Sequence, residues 1–198
     1  MAVLLITVRF IHGRYNAVGD WPPSPARLFQ ALVAAAARGA AIETEDRAAL
    51  TWLETLPPPV IACPPQRAGQ PFTTFVPSND LDAVGGDPDR VPDLRVGKST
   101  RPRLFDERTP VLYLWRNVGD LNQARALSRI AERLFQLGRG LDMAHAVAEL
   151  IEEADAERLL ASHRGPIRFP AVAAGNGDLV PCPARGSLAS LEARFAGM

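Results

Sequence analysis

VLLITVRFI, residues 3–11, and SPARLFQALVAAAAR, residues 24–38, are the stretches on which the predicted fold depends. The first is rich in β-branched and aromatic residues, which predicts a buried strand. In the second, Ser24 supplies a hydroxyl N-cap and Pro25 takes the first helical position, which predicts a helix start. Apolar residues then recur at helical spacing, and Gly39 predicts the end of the helix. The chain therefore begins with a buried strand followed by an amphipathic helix.

A second helix and a long irregular insertion follow. The helix is predicted from Glu45 to Leu56, capped by Thr44 and stopped by three consecutive prolines. Residues 57–109 then contain most of the prolines and few periodic apolar positions, with short strands predicted around Phe72–Val76 and over 94–104. Loops of this length inside a compact domain are usually functional.

Regular structure resumes after the insertion. TPVLYLWRNV, residues 109–118, predicts a strand. Asp120 and Gln123 then make a start like a capping box for a helix that continues to Leu137. LDMAHAVAELI, residues 141–151, fits either a helix, from its Ala and Glu content, or a return strand, from its position after a helix-ending glycine. A strand is the reading we adopt for the fold.

The order of these elements predicts an α+β fold. A hairpin is expected around Asn176–Gly177, and a short amphipathic helix is expected from Ser187. Without the insertion, the order is close to the split β-α-β arrangement of ferredoxin-like (RRM-like) folds, an antiparallel sheet with helices on one face. We therefore predict a single domain over residues 1–198, with a core of about 1–56 and 110–198.

The insertion is basic although the chain as a whole is neutral, with 22 Lys and Arg against 22 Asp and Glu. Residues 90–116, called here the basic arm, hold seven basic and three acidic side chains. Arginine forks suit phosphates and bases, and an extended aperiodic segment can wrap a single strand, although a charge run is also often plain solvated surface. Phe72, Phe75 and Phe105 could stack on bases or anchor the insertion. Residues 60–110 are expected to pack poorly until RNA or a neighbouring subunit binds.

Gly97-Lys98-Ser99-Thr100 matches the last four residues of a phosphate-binding loop, but its surroundings argue against one. The motif needs a glycine where Pro92 stands, and proline has no amide donor. A helix should begin at the lysine, and Pro102 follows closely. Turn formers rather than an apolar strand precede the motif. We therefore do not expect a nucleotide hydrolase.

Three histidines could serve general acid–base chemistry near neutral pH. His12 follows the first strand beside Arg14 and Tyr15, where a solvated position, an RNA contact or cleavage through a 2′-hydroxyl all fit. His145 lies in an apolar segment and is predicted to be a core or half-buried residue. His163 lies in a turn. No paired base or nucleophile is visible, so the pattern does not require cleavage.

The two cysteines indicate no metal site. Cys63 and Cys182 lie in separate proline-rich turns without a second cysteine or a histidine at metal-ligand spacing. A reducing compartment suits them better than a disulfide framework, and no cofactor is expected. The apolar N-terminal run is short and has no basic leader, and no run approaches the roughly 18 apolar residues of a membrane helix. The chain is therefore predicted to be cytoplasmic.

Several pieces of the chain resemble a known family. They are GDWPPSPARLFQALVAAAARG (19–39), read with the opening strand and HGRY (12–15), then FVPSND (75–80) and QLGRGLD (136–142). The Trp-Pro-Pro-Ser-Pro helix entry (21–25) is the most specific of them. Together they resemble the CRISPR-associated RAMP proteins, in particular the subunit of type I Cascade that binds the crRNA 5′ handle. The resemblance is closest to the type I-G (formerly I-U) version, the front half of a fusion with the repeat-processing endonuclease.

The resemblance implies a RAMP domain with residues 57–109 as its thumb, capping one end of a crRNA-bound backbone of repeated subunits. The implied partners are crRNA, the backbone and large subunits of Cascade and, through the complex, target DNA, with no membrane. Ribonuclease activity is expected in a C-terminal domain beyond Met198, so no catalytic residue is assigned. The predicted RNA-binding residues are His12, Arg14, Tyr15, Arg27, Arg95, Lys98, Arg101, Arg103, Arg108 and Arg139.

Two other functions stay open. A metal-independent repeat endonuclease would use His12 or His163 as its general acid–base. A ferredoxin-like RNA-binding domain outside CRISPR would use the same basic arm. Incubation with repeat RNA separates binding from cleavage.

Overall fold

An antiparallel sheet with helices on both faces organises the computed structural model of the chain, which describes residues 2–16, 21–39, 41–77, 95–170 and 178–196. These residues form sheets of five, three and two strands together with five α-helices. The mixed α+β class predicted from the sequence is therefore confirmed. None of the described helices is long and apolar enough to cross a membrane.

The elements have the following bounds. The strands are β1 (Ala2–Phe10), β2 (Arg14–Tyr15), β3 (Val60–Ala62), β4 (Arg67–Ala68), β5 (Phe72–Pro77), β6 (Arg95–Thr100), β7 (Arg103–Leu104), β8 (Val111–Trp115), β9 (Ala144–Glu152) and β10 (Ile167–Arg168). The helices are α1 (Pro25–Ala36), α2 (Thr44–Leu53), α3 (Leu121–Glu132), α4 (Glu153–Ser162) and α5 (Ser187–Ala196). A short 3-10 turn, Ala37–Gly39, closes α1.

The central sheet has the strand order β10-β3-β8-β1-β9, with antiparallel neighbours throughout. β1 pairs with β8 on one side and, along all nine of its residues, with β9 on the other. The segment 141–151, which the sequence allows as a helix or a strand, is therefore a strand over most of its length. This pairing, rather than local propensity, decides its conformation.

β1 is buried on both faces because alternate residues enter two separate cores. Leu4 and Ile6 belong to the larger core, which the residues of α1, α2 and α3 complete. Val3 and Leu5 belong to the smaller core, to which α4 contributes Leu160. The prediction that the helices lie on one face only is therefore wrong. α4 is an additional helix that the sequence pattern did not predict.

Two helices begin with the predicted capping chemistry. The Ser24 hydroxyl accepts a hydrogen bond from the main-chain N–H of Arg27 at 3.2 Å. The Asp120 carboxylate accepts from the N–H groups of Asn122 and Gln123, each at 3.1 Å. These bonds satisfy donors that a helix start leaves unpaired, and they confirm the predicted starts of α1 and α3.

Other helix boundaries differ from the predictions. Thr44 lies inside α2 rather than at its cap, and α2 ends before the predicted boundary. α3 ends at Glu132 rather than at Leu137. The main-chain N–H of Ala144 donates to the carbonyl of Phe135 at 3.0 Å, which draws the chain out of the helix and toward β9. Tertiary pairing thus shortens α3.

The predicted insertion is only partly separate from the central sheet. Val60–Ala62 is buried between β10 and β8, so the expectation of poor packing is wrong for this segment. The strands predicted around Phe72–Val76 and over 94–104 are confirmed, because β5 and β6 pair with each other and β7 follows. Residues 78–94 and the hairpin turn predicted around Asn176–Gly177 lie outside the described residues.

Candidate nucleic-acid interface

One edge of the central sheet, formed by the ends of its strands and not by an outer strand, brings together most of the basic residues predicted to bind nucleic acid. Because neighbouring strands are antiparallel, β1 and β3 end at this edge, and β8, β9 and β10 begin there. The loops after β1 and β3 and those before β9 and β10 therefore meet. The small sheet of β2, β7 and β4 adjoins them. We call this region the basic edge and define it by Arg14, Arg67, Arg101, Arg103, Arg108 and Arg139.

The central strand of the small sheet, β7, fixes three of these arginines relative to one another. Arg14 on β2 and Arg67 on β4 are both paired with Leu104, one on each side. Arg103 is paired with Tyr15. Since directly paired residues point to the same face, Arg14 and Arg67 share one face and Arg103 occupies the other. Arg67 is exposed, and the sequence reasoning missed it because only its pairing with Leu104 reveals the position.

An aromatic cluster anchors the small sheet to the core. The Tyr15 ring centroid lies 5.6 Å from that of Phe10 and 5.7 Å from that of Trp21. The Phe105 centroid lies 4.6 Å from that of Trp21. Tyr15 is only 2% exposed, so the prediction that it leaves the core is wrong. Of the two roles open for Phe105, this packing favours the anchor.

Gly13 lets the loop after β1 approach the chain that follows β7. Its φ is +53°, and a Cβ at this position would lie 2.5 Å from the carbonyl oxygen of Phe105. The N–H of Phe105 donates to the Gly13 carbonyl at 2.8 Å. Glycine is therefore required for this contact, which sets where Arg14 begins β2.

A buried carboxylate joins the loop after β2 to the glycine loop before β9. Asp142 is 1% exposed and accepts hydrogen bonds from Asn16 and from the main-chain N–H of Arg139, the latter at 2.7 Å. Gly138 has a φ of +124°, and a Cβ there would lie 2.5 Å from a carboxylate oxygen of Asp142. The spacing of QLGRGLD does not reveal this role, because the partner Asn16 is distant in sequence.

Arg139 belongs to that glycine loop, and Arg27 lies near it. Arg139 Nη1 donates to the Thr100 hydroxyl at 2.8 Å, at the end of β6. Arg27, in the first turn of α1, lines a cavity of ≈ 210 Å³ together with Gly138. One of these predicted residues therefore lies in the loop that Asp142 holds, and the other lies beside it.

The arginines of the basic edge differ from those on the helices in how they are paired. On the helical face, Arg47 pairs with Glu192, Arg129 with Glu45, and Arg133 with Asp46. Within the described ranges, none of the six arginines that define the basic edge forms a salt bridge. Their charges are therefore available to an anionic ligand.

The three histidines have different surroundings. His12 is exposed in the turn after β1, beside the basic edge. His163 Nε2 lies 2.9 Å from the Cys63 carbonyl oxygen, so its ring is held against the main chain. His145 is exposed and paired with Arg9 across β1 and β9. The prediction of a core or half-buried His145 is wrong, because its neighbours on β9 are the residues that face the core.

The stretch that resembles a nucleotide-binding loop is a strand. Gly97-Lys98-Ser99-Thr100 forms the end of β6 and pairs with β5, and no helix begins at the lysine. Lys98 is exposed and paired with Thr74. This confirms that the stretch is not a phosphate-binding loop. The side chain of Arg95 lies outside the described part of the chain.

Nearly the whole chain matches one family model, described as "CRISPR-associated protein, GSU0054 family", over residues 3–198. A solved structure, described as "Crystal structure of a CRISPR protein from Archaeoglobus fulgidus", is 13% identical with a TM-score of 0.39. The match covers 77% of this chain and 65% of that chain, so this chain spans less than two thirds of that protein. No curated protein matches. The family match is the finding that bears on identity.

Proposed function

The chain belongs to the GSU0054 family of CRISPR-associated proteins, and from this premise we propose that it is the RNA-binding subunit of a type I interference (Cascade) complex. The family places its role in CRISPR defence. In the proposed role, the basic edge binds the crRNA 5′ handle, and the domain caps the backbone of repeated subunits. Type I-G is the form of complex that we propose. Target DNA is met only through the assembled complex.

The lack of carboxylate partners at the basic edge is the observation that supports the proposal most strongly. Arg101 and Arg108 are exposed, and Arg103 is half-buried. Elsewhere the chain does pair its cations where carboxylates are near. Examples are the salt bridges of Arg47, Arg116, Arg129 and Arg133. Uncompensated arginines gathered on neighbouring loops are the electrostatic footprint of a nucleic-acid site.

The strand order supports a ferredoxin-like reading of the domain. Taking β1, β3, β8 and β9 as the four strands of the split β-α-β arrangement, their order in the sheet is β3-β8-β1-β9. α1 and α2 precede β3, and α3 connects β8 to β9. We therefore propose a ferredoxin-like RAMP domain. Its thumb begins after β3, ends before β8, and contains the β5–β6 pair and the part of the basic arm up to residue 109.

The proposal is tested by removing three arginines of the basic edge together with Lys98 of β6, and measuring affinity for the repeat-derived 5′-handle RNA across a salt series. A matched variant removes four exposed arginines from the helices. The first variant replaces Arg67, Lys98, Arg101 and Arg108 with Gln. The matched variant replaces Arg47, Arg125, Arg129 and Arg158 with Gln.

The first variant is expected to lose most of its RNA affinity, and the salt slope should fall by about three units if all four side chains meet phosphates. The matched variant has the same net charge as the first variant. Its replaced arginines lie on the helices, away from the basic edge, so it should keep the salt slope within about one unit of that of the unaltered protein. Equal loss in both variants would mean that only net charge matters. Unchanged affinity in the first variant would show that the basic edge is a solvated surface, and the proposal would fail.

A metal-independent repeat endonuclease is the second candidate. The exposure of His12 beside uncompensated arginines favours it, because an exposed imidazole there could reach a 2′-hydroxyl. Repeat RNA incubated with the protein in the presence of a chelator distinguishes the two candidates. Intact, bound RNA supports the subunit, whereas metal-independent cleavage supports the endonuclease.

A further inference from the structure

A cavity of ≈ 540 Å³ lies beside the small sheet, between the loop after β3 and the start of β10. Arg103 and Arg168 line it, and Trp21 with three prolines contributes apolar walls. Its volume falls within the range of small-molecule sites, about 300–1,000 Å³. Apart from Arg103, its lining was not predicted from the sequence to bind anything.

The cavity is positively charged. Neither Asp nor Glu is among the described residues that line it. Arg103 has no salt bridge within the described ranges, whereas Arg168 donates to the Trp21 carbonyl at 3.0 Å and pairs with Asp178, whose side chain is 78% exposed. Cys63 adds no negative charge, because burial raises the pKa of its thiol to about 11 and the neighbouring Arg168 offsets only part of that.

Size and lining together indicate the class of ligand. Two guanidinium groups suit a phosphate: Arg103 can hold it with forked hydrogen bonds, and Arg168, whose terminal nitrogens already contact Trp21 and Asp178, adds positive charge. A phosphate alone would leave most of the volume empty, and the remaining lining combines the apolar surfaces of Trp21 and the prolines with Cys63 and Gln66. A ligand with a phosphate at one end and a flat aromatic group at the other meets both requirements. That ligand is a nucleotide.

We propose that this cavity takes one nucleotide of the bound RNA, with its phosphate at Arg103 and Arg168 and its base against the apolar walls. This inference rests on the proposed RNA-binding function and names a separate subsite within it. Arg103 points to the opposite face of β7 from Arg14 and Arg67. A nucleotide in the cavity is therefore set apart from those that follow the other two arginines.

The test is an abasic scan of the handle RNA, in which one base is removed at a time and the affinity is measured for each RNA. Three variants are compared with the unaltered protein. Arg103→Gln removes a charge from the cavity, and Gln66→Trp keeps every charge but fills the volume. Arg101→Gln is the matched control, because Arg101 is exposed and does not line the cavity. Thermal melting confirms that each variant is folded.

One abasic position is expected to lower affinity about tenfold in the unaltered protein, which is the loss typical of one base contact with an aromatic wall. That position-specific loss should disappear in both Arg103→Gln and Gln66→Trp. Arg101→Gln should weaken all RNAs alike and leave the profile unchanged. A flat profile, or a peak that survives both cavity variants, would overturn the inference while the RNA-binding function stands.

Free nucleotides provide a second arm, because the same chemistry could come from a free nucleoside monophosphate. Calorimetric titration with AMP, GMP, CMP and UMP is expected to show binding far weaker than that of the RNA. Micromolar binding of a free nucleotide together with a flat abasic profile would assign the cavity to free nucleotide instead. If the unaltered protein does not bind the handle RNA at all, the proposed function itself is contradicted. Failure of the cavity inference and failure of the proposed function therefore give different results.

Discussion

Asp142 Oδ1 accepts two hydrogen bonds from Asn16, one from its main-chain N–H at 2.6 Å and one from its side-chain amide at 2.8 Å. Both residues are 1% exposed. The other carboxylate oxygen accepts from the main-chain N–H of Arg139. One buried side chain therefore fixes the two loops that position Arg14 and Arg139.

Replacing Asp142 with Ala should lower the free energy of unfolding by about 3 kcal/mol, because it leaves three donors, two of them buried, without an acceptor. Urea denaturation measures the change. Asp106→Ala is the control, since Asp106 is exposed and its carboxylate accepts from the local N–H of Arg108 at 3.0 Å. A loss no larger than that of the control would show that the carboxylate does not hold the loops.

Replacing Lys98 with Ala should weaken RNA binding modestly and reduce the salt slope by at most about one unit. The reason is that Lys98 is one of several cations and lies on a strand rather than in a phosphate loop. Sequence preference should not change. Titration with ATP and GTP serves as the control, and nucleotide affinity that Lys98→Ala abolishes would contradict the structural exclusion of the nucleotide loop.

Arg14→Ala should weaken handle binding, whereas His12→Ala should leave any RNA processing by the complex intact. Arg14 belongs to the basic edge, and His12 is an exposed neighbour without an assigned catalytic role. Filter binding and gel analysis of repeat RNA measure the two effects. Loss of cleavage in His12→Ala with binding preserved would favour the endonuclease.

Glu54→Ala should release the C-terminal helix α5 from the core. The buried Glu54 carboxylate accepts from the N–H groups of Gly186 at 2.8 Å and Leu188 at 2.9 Å, at the start of that helix. The free energy that holds α5 on the core should fall by about 2 kcal/mol, because two donors lose their acceptor and a negative charge is lost at a helix N-terminus. Hydrogen exchange over residues 187–196 measures it. Glu45→Ala, with an 80% exposed side chain, should leave the exchange unchanged.

Stability should fall as the pH rises above about 9. Burial raises the pKa of the Cys63 thiol from 9.0 to about 11, and burial also raises the pKa of the Tyr113 phenol well above 10.0. The folded protein therefore holds these protons more tightly than the unfolded chain does. Their contribution is fully present below the unfolded pKa values and is lost as the pH rises toward the folded ones.

Urea denaturation between about pH 8 and about pH 11 measures this alkaline loss of stability. This range of about three pH units covers the pKa shifts expected for buried acids. Cys63→Ala should reduce the slope of stability against pH in the lower part of the range. Tyr113→Phe should reduce it in the upper part, besides losing the hydrogen bond that the phenol donates to the Pro23 carbonyl at 2.6 Å. Slopes parallel to that of the unaltered protein in both variants would contradict the assignment.

Local signals predicted the elements whose chemistry is local. Ser24 and Asp120 cap their helices through main-chain groups two or three residues away, so the sequence contains the whole interaction. Val60–Ala62 could not be recognised, because a strand of three residues is too short for a period to show. α4 was missed for a related reason, since its buried positions matter only once β1 is known to need cover on both faces.

At the candidate interface, the residue types were predictable and their surroundings were not. The basic arm is visible in the composition, but Tyr15 is buried through Phe10 and Trp21, and Arg67 joins the interface through Leu104. His145 is instructive, because the strand reading of its segment already places alternate alanines inward and the histidine outward. Its exposure follows from strand periodicity once the segment is known to be a strand.

In the glycine loop, the main chain and the side chain at position 139 have separate roles. Asp142 holds this loop through the main-chain N–H at position 139, so the path of the loop does not depend on which side chain stands there. We therefore expect that replacing Arg139 with Lys, Gln or an aromatic residue changes or removes the side-chain bond to the Thr100 hydroxyl but leaves the backbone of the loop in place. For the proposed RNA-binding role, a substitution at position 139 would therefore change the side chain offered to the RNA while the loop that carries it stays in place.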